Sequence, residues 1–269
     1  MKQLPNAAAQ IHWAASRSII AKFAGQMRPP VQYGASLNQR RQASMPLQDP
    51  HKSCTIHYAA APLETARHVV IAVHGRYGTA ADILKHQQQV NVQNTAWIAP
   101  QAHDRSWWPE SFLAPLTANE PGISSALNRI TAIADDLEET GIGAERIVLF
   151  GFSQGACLLL EHAARHPRPW RGIVAMSGGL LGSAESNEPP RSALLGHSEK
   201  RFDYAAALDA VPIQMGCHSG DPVIPLARVR NSAEVLQKLG AQVSLKVRNG
   251  NMHAPLQSDL VALRSLLNP

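Results

Sequence analysis

The chain has 269 residues, 45% of them hydrophobic and 17% charged, and this composition excludes disordered and collagen-like proteins. No apolar run approaches the roughly 18 to 20 residues that a membrane-spanning helix requires, so stable membrane insertion is not expected. The net charge of +5 arises early in the chain, where six basic residues precede the first acidic one, Asp49. The remainder has no basic stripe, which argues against a nucleic-acid partner.

Residues 1–50 show no sustained hydrophobic period and are predicted to form a basic, disordered extension. Three origins fit this segment: a tail without catalytic role, a transit-like segment, or a stretch translated from a misassigned start. Residues 51–269 are predicted to form a single domain. The three cysteines form no even set and show no CxxC spacing, so neither a disulfide framework nor a zinc cluster is expected. A reducing, cytoplasmic compartment is therefore favoured.

From about Cys54 onward, short β-branched segments alternate with longer helical patterns. Buried parallel strands are predicted over residues 68–73, 95–99, 146–150, 171–176, 211–215 and 242–247. Helices are predicted over residues 80–90, 122–140, 154–165, 226–239 and 256–267. This alternation predicts an α/β fold, with helices on both faces of a mainly parallel sheet. A polar stretch over residues 182–209 interrupts the rhythm and is the candidate insertion over a site.

The segment Gly151-Phe-Ser153-Gln-Gly155 directly follows a predicted strand and opens a predicted helix. A nucleophile elbow needs this context, because a sharp strand-to-helix turn presents the serine hydroxyl at the edge of the sheet. Glycines two residues before and two residues after Ser153 remove Cβ atoms that would clash in so tight a turn. Ser153 is therefore the candidate nucleophile.

A serine hydroxyl needs a general base, and that base needs an anion to orient it. Asp221 and His253 each follow a predicted strand, and the chain order Ser, Asp, His is the order of α/β-hydrolases. The competing acids fit less well, because they precede a strand or lie within a helix: Asp203, Asp209 and Glu234. Asp221 and His253 are thus the predicted partners of Ser153.

Two backbone N–H groups are expected to stabilise the oxyanion, one from Gln154 and one from Arg76 in the glycine-containing loop 74–78. That loop lacks the spacing of a phosphate cradle, and His74 is expected to brace it. The candidate substrate-binding residues are Tyr77 of this loop and two consecutive tryptophans in a later loop, Trp107 and Trp108. The histidines show no metal-ligand spacing, so neither a metal nor another cofactor is expected.

Taken together, the chain resembles the phospholipase/carboxylesterase family of α/β-hydrolases, which includes acyl-protein thioesterases and bacterial carboxylesterases. The matching motifs are His74-Gly75, Gly151-Phe-Ser-Gln-Gly-Ala156, Ser177-Gly-Gly179, Gly220-Asp-Pro-Val-Ile-Pro225 and Gly250-Asn-Met-His253. The resemblance implies an α/β-hydrolase fold with a minimal lid and a cofactor-free serine esterase. It maps the roles above onto Ser153, Asp221, His253, Arg76 and Gln154. It also implies a small-molecule ester substrate and is compatible with a homodimer.

Two departures from the thioesterase pattern, His218-Ser219 and Trp108-Pro109, favour a general carboxylesterase over an enzyme that depalmitoylates proteins. Acyl thioesterase and lysophospholipase remain alternatives within the same chemistry. A non-catalytic binding protein on the same fold is the alternative of another class, because a fold alone does not establish activity.

Overall fold

The computed structural model describes residues 49–184, 189–205 and 207–268. The predicted extension over residues 1–50 thus lies outside the described residues, apart from Asp49 and Pro50. The described residues belong to one compact unit, Pro46–Pro269.

A seven-stranded sheet organises this unit, in the order β1-β3-β2-β4-β5-β8-β9. Its strands are β1 (Ile56–Ala60), β2 (His68–Val73), β3 (Thr95–Pro100), β4 (Ile147–Phe152), β5 (Gly172–Met176), β8 (Pro212–His218) and β9 (Gln242–Arg248). The edge strand β1 pairs antiparallel with β3, whereas the other neighbours pair in parallel. The six predicted strands are confirmed to within three residues at each end, and β1 was not predicted.

The helices also follow the predicted order, with one break. They are α1 (Ala80–Leu84), α2 (His86–Val90), α3 (Gly122–Glu139), α4 (Gln154–Arg165), α5 (Leu226–Lys238) and α6 (Gln257–Leu267). The single helix predicted over residues 80–90 is two short helices that meet at Lys85. A capping box between Thr79 and Asp82 begins α1, because each side chain accepts a hydrogen bond from the other residue's backbone N–H.

Strand β2 shows why the sheet needs a helical layer on each face, since all six of its residues are buried. Val69, Ile71 and Val73 pack into a hydrophobic cluster with α3, α4 and α5. Val70 and Ala72 pack into a second cluster with α1, α2 and α6. These layers confirm the predicted three-layer α/β architecture.

The carboxyl ends of the parallel strands meet at one edge of the sheet, and the loops that leave this edge carry the predicted site residues. The loops after β2, β4, β8 and β9 begin at His74, Ser153, Ser219 and Asn249. Within the predicted insertion, β6 (Pro190–Arg191) and β7 (His197–Ser198) form a small antiparallel pair. Chain topology therefore brings His74 and Asn249, 175 positions apart, to one edge of the sheet.

Candidate active site

Ser153 occupies a strained turn between β4 and α4, with φ of 54° and ψ of −120°. L residues rarely adopt this backbone conformation, which costs on the order of 1 to 3 kcal/mol. A Cβ atom on Gly151 would lie 2.8 Å from the backbone nitrogen of Ala156, and one on Gly155 would overlap the carbonyl of Val73. The two glycines thus permit the turn, as the sequence predicted.

The three side chains predicted as a catalytic triad form a chain of two hydrogen-bond contacts, with His253 in the middle. His253 Nε2 is 2.7 Å from Ser153 Oγ, and His253 Nδ1 is 2.8 Å from Asp221 Oδ2. A carboxylate only accepts hydrogen bonds, so Nδ1 carries the proton and Nε2 is left to accept from the serine hydroxyl. This arrangement suits proton abstraction from Ser153.

Asp221 is buried, yet its environment favours the ionised form. Its Oδ1 accepts hydrogen bonds from the backbone N–H groups of Val223, at 2.9 Å, and Ile224, at 3.0 Å. Burial by itself raises the pKa of Asp221, but the hydrogen bonds and charge of His253 and the two amides bring it below its usual value. The carboxylate therefore remains an anion that orients His253.

Gln154 is the first residue of α4, so its N–H has no carbonyl one turn earlier within the helix to bond. Its side chain is fixed elsewhere. Oε1 accepts from the backbone N–H of Trp107 at 2.9 Å, and Nε2 donates to the carbonyl of Trp108 at 2.9 Å. The structure thus anchors the side chain of Gln154 and places its backbone N–H beside the nucleophile, at the positive end of the helix.

The loop that carries Arg76 packs directly against the nucleophile, because a Cβ atom on Gly75 would lie 3.1 Å from Ser153 Cβ. A hydrogen bond from Gly78 N–H to the carbonyl of Gly75, at 3.0 Å, closes the loop. The Arg76 guanidinium donates to the carbonyls of Pro109 and Glu110. The side chain of Arg76 therefore binds the neighbouring loop, and the oxyanion role of its backbone N–H stays a prediction.

His74 braces the same loop. Its Nε2 accepts a hydrogen bond from the backbone N–H of Ala102 at 3.0 Å, so Nδ1 carries the proton and donates to the carbonyl of Gly75 at 2.8 Å. Burial lowers the pKa of His74, which keeps the ring neutral and both bonds intact. The predicted bracing role is thus matched by its contacts.

Trp107 and Trp108 lie in the core, with 0% and 1% of their surface exposed. Trp107 Nε1 donates to the carbonyl of His74 at 2.9 Å. Both indoles are therefore buried, and the predicted substrate contact of Trp107 or Trp108 stays a prediction. Their loop folds inward because its backbone bonds to Gln154, a contact that sequence spacing does not reveal.

Three large apolar side chains in the loops that carry predicted site residues remain exposed. Tyr77, the predicted substrate-binding residue of the oxyanion loop, is 50% exposed. Val223 follows Asp221 by two residues, Met252 precedes His253, and both are about half exposed. Val223 and Met252 were not predicted, although their position beside triad residues could have singled them out.

A buried polar network supports the irregular segment 177–183, which follows β5 past the nucleophile. Backbone groups of a buried irregular segment need partners, because no strand or helix supplies them. Arg228, fully buried on α5, and Lys200 from the predicted insertion donate to the carbonyls of residues 180–182 at 2.7 to 3.0 Å. Lys200 thereby ties the insertion to the segment that follows β5.

Asp259 anchors the beginning of α6, which follows the His253 loop. Its Oδ2 accepts from the backbone N–H of Leu256 at 3.0 Å, and its side chain is fully buried. Burial raises the pKa of Asp259 to about 6, while the bonds from Leu256 and Gln214 lower it less. The ionised form thus costs folding free energy at neutral pH.

Asp259→Asn is expected to raise the melting temperature at pH 7 by about 5 °C relative to wild type, with little difference at pH 4. The pKa of Asp259 is about 6 in the folded protein, above its value of 3.8 in the unfolded chain. The stability that the protonated carboxyl contributes is therefore fully present below pH 3.8 and is lost as the pH rises through about 6. Asparagine keeps the acceptor for Leu256 and does not titrate. Melting curves from pH 4 to 8 measure the difference, and Asp136→Asn on an exposed position of α3 is the control. Parallel profiles for Asp259→Asn and wild type would contradict the assignment.

Among residues 49–184, 189–205 and 207–268, no group of three or more His, Cys, Asp or Glu side chains is arranged to hold a metal ion. In the same described ranges, no helix is long and apolar enough to cross a membrane. The three cysteines are free thiols.

The strained serine turn, the acid and base after later strands, and the mostly parallel sheet together define an α/β-hydrolase. The sequence profile described as Phospholipase/Carboxylesterase matches residues 56–268. The chain therefore belongs to the phospholipase/carboxylesterase family, as its motifs indicated.

Known proteins of this family are similar over different shares of the chain. A phospholipase/carboxylesterase crystal structure from Dyadobacter fermentans is 33% identical, with a TM-score of 0.71 over 81% of this chain and 97% of that one. Acyl-protein thioesterase 1 of Saccharomyces cerevisiae is 29% identical over 44% of this chain, and that of Gibberella zeae is 32% identical over 48%. The chain spans 61% and 50% of the length of these two relatives.

Proposed function

We propose that this protein is a serine hydrolase that cleaves carboxylic esters of small molecules through an acyl-enzyme. The observation that carries the proposal is the chain of hydrogen bonds from Asp221 through His253 to Ser153, at 2.8 and 2.7 Å. No metal or other cofactor is required, because nucleophile, base and oxyanion donors all come from the protein.

In the first half-reaction, Ser153 Oγ attacks the ester carbonyl carbon while its proton passes to His253 Nε2. The carbonyl oxygen becomes an oxyanion that accepts hydrogen bonds from the N–H groups of Arg76 and Gln154. Collapse of this intermediate breaks the carbon–oxygen bond, and the leaving alcohol takes the proton from His253. Water then repeats the sequence on the acyl-enzyme and releases the carboxylic acid and free Ser153.

Thioesters are the second candidate substrates, since both curated relatives are named acyl-protein thioesterases. The same acyl-enzyme chemistry would act on a lysophospholipid. The exposed apolar side chains of Tyr77, Val223 and Met252 support a substrate with an apolar portion at the mouth of the site. The departures at His218-Ser219 and Trp108-Pro109 favour simple esters over acylated proteins.

Purified protein is expected to hydrolyse p-nitrophenyl esters and to be labelled at Ser153 by a fluorophosphonate probe, both unaffected by EDTA. Graded esters and matched thioesters of the same acyl groups measure kcat/KM for each class. A higher kcat/KM for the thioester than for the matched ester throughout the panel would show that the protein is a thioesterase rather than an esterase. If correctly folded protein shows neither turnover nor labelling, the result favours a non-catalytic binding protein.

Location and assembly follow as smaller proposals. We place the protein in the cytoplasm, because its three cysteines are unpaired and two of them are buried. Fractionation of the source cells tests this. Light scattering on the purified chain tests whether it forms the homodimer that the family resemblance allows.

A further inference from the structure

His51 precedes β1 in the turn that begins the described residues, yet only 1% of its surface is exposed. Two backbone hydrogen bonds form this turn, from Lys52 to Asp49 and from Cys54 to His51. The backbone N–H of His51 donates to Ser125 Oγ on α3 at 2.8 Å, and Ser125 Oγ donates in turn to Asp49. The turn is therefore fixed to α3 through Asp49 and through the backbone of His51.

The contacts of the imidazole determine its tautomer. The backbone N–H of His103 lies 3.1 Å from His51 Nδ1, and a backbone N–H can only donate. Nδ1 must accept this bond, so the proton of the neutral ring lies on Nε2. Nε2 then donates to the carbonyl of Trp107 at 3.0 Å. Burial lowers the pKa of His51, which favours this neutral ring.

Trp107 is the residue through which His51 reaches the reacting groups. Its backbone N–H holds the side chain of Gln154 at 2.9 Å, and its indole Nε1 holds the carbonyl of His74 at 2.9 Å. Gln154 supplies one proposed oxyanion donor, and His74 begins the loop that supplies the other, Arg76. Trp107 thus links both halves of the proposed oxyanion hole. His51 in turn bonds to the carbonyl of Trp107, and the centroids of the two rings lie 5.1 Å apart.

We propose that His51 is a positioning residue for the oxyanion hole, acting through the hydrogen bond from its Nε2 to the carbonyl of Trp107. This inference rests on the proposed function. It assigns a part in the reaction to the turn before the first strand, which does not touch the triad. Since the oxyanion donors act on charge that develops in the transition state, disturbing them lowers kcat more than it changes KM.

Two substitutions separate the bonds of His51. In His51→Gln, the side-chain amide NH₂ reaches the position of Nε2 and keeps the donor to Trp107. In His51→Asn, the shorter side chain presents Oδ1 near the position of Nδ1 and keeps the acceptor for His103 but loses the donor. His51→Ala removes both, and His57→Gln at an exposed position of β1 is the matched control.

The experiment measures kcat and KM on a p-nitrophenyl ester, normalised to the Ser153 that a fluorophosphonate labels at end point, together with melting temperature. His51→Asn and His51→Ala are expected to lower kcat about 10- to 100-fold and to change KM less than about threefold. His51→Gln and His57→Gln are expected to keep kcat within about threefold of wild type. Normalisation keeps the comparison valid where part of a variant is unfolded.

Three results would overturn the inference. Unchanged kcat in His51→Asn shows that the donor to Trp107 is dispensable. A greater loss in His51→Gln than in His51→Asn transfers the role to the His103 contact. Equal losses in all three variants, in proportion to their melting temperatures, reduce His51 to core packing. If wild type neither turns over substrate nor is labelled, the proposed function itself fails. The three results above require an active wild type, so the two failures are distinguishable.

Discussion

Ser153→Ala is expected to lower kcat for ester hydrolysis by a factor on the order of 10³ or more. Alanine removes Oγ, so the hydrogen bond to His253 Nε2 is lost and no covalent intermediate can form. The backbone N–H groups of Arg76 and Gln154 remain, and their stabilisation of the oxyanion accounts for any residual rate. Initial rates on a p-nitrophenyl ester, with fluorophosphonate labelling of the same preparation, measure the effect.

Stability separates this loss from misfolding. Alanine retains the Cβ atom of serine, so the strained turn and the packing against Gly75 stay as they are, and the melting temperature should change by less than about 3 °C. Ser219→Ala is the matched control, because this serine is exposed in the loop that carries Asp221. Full turnover by Ser153→Ala, or an equal loss in Ser219→Ala, would remove Ser153 from its proposed role.

The sequence predicted the strands and the serine turn because their causes are local. An apolar run such as residues 68–73 is buried on both faces wherever it lies in a parallel sheet. A Cβ atom on Gly151 would overlap the backbone of Gly155 and Ala156 in the same turn. Strand β1 escaped prediction because three of its five residues are exposed and its pairing partner, β3, lies 35 or more residues along the chain.

The loops were less predictable, because their orientation depends on partners distant in sequence. Trp107 turns inward through bonds to Gln154 and His74, 47 and 33 residues away. Sequence alone does not single out His51, since its ring partners, His103 and Trp107, lie 52 and 56 residues away. Triad order is recognisable from sequence because it follows strand order, whereas such supporting contacts are not.

The same logic makes Asp221→Asn the second large effect, with an expected fall in kcat of about 10³- to 10⁴-fold. Asparagine Oδ1 can still accept from the amides of Val223 and Ile224, so its NH₂ group then faces His253 Nδ1. Because that NH₂ only donates, Nδ1 must accept, and the ring proton moves to Nε2. His253 then presents N–H to Ser153 and cannot take the hydroxyl proton.

Measurement of kcat between pH 6 and 9 tests this tautomer argument, with Asp203→Asn as control because that carboxyl is exposed and was a rejected candidate for the acid. Loss of less than tenfold in Asp221→Asn would point to a different orienting acid.

The double variant Ser153→Ala/Asp221→Asn adds a sharper criterion. Groups that act as one unit fail together, so it should be no slower than Ser153→Ala alone. A further fall of tenfold or more would mean that Asp221 acts on the reaction independently of Ser153.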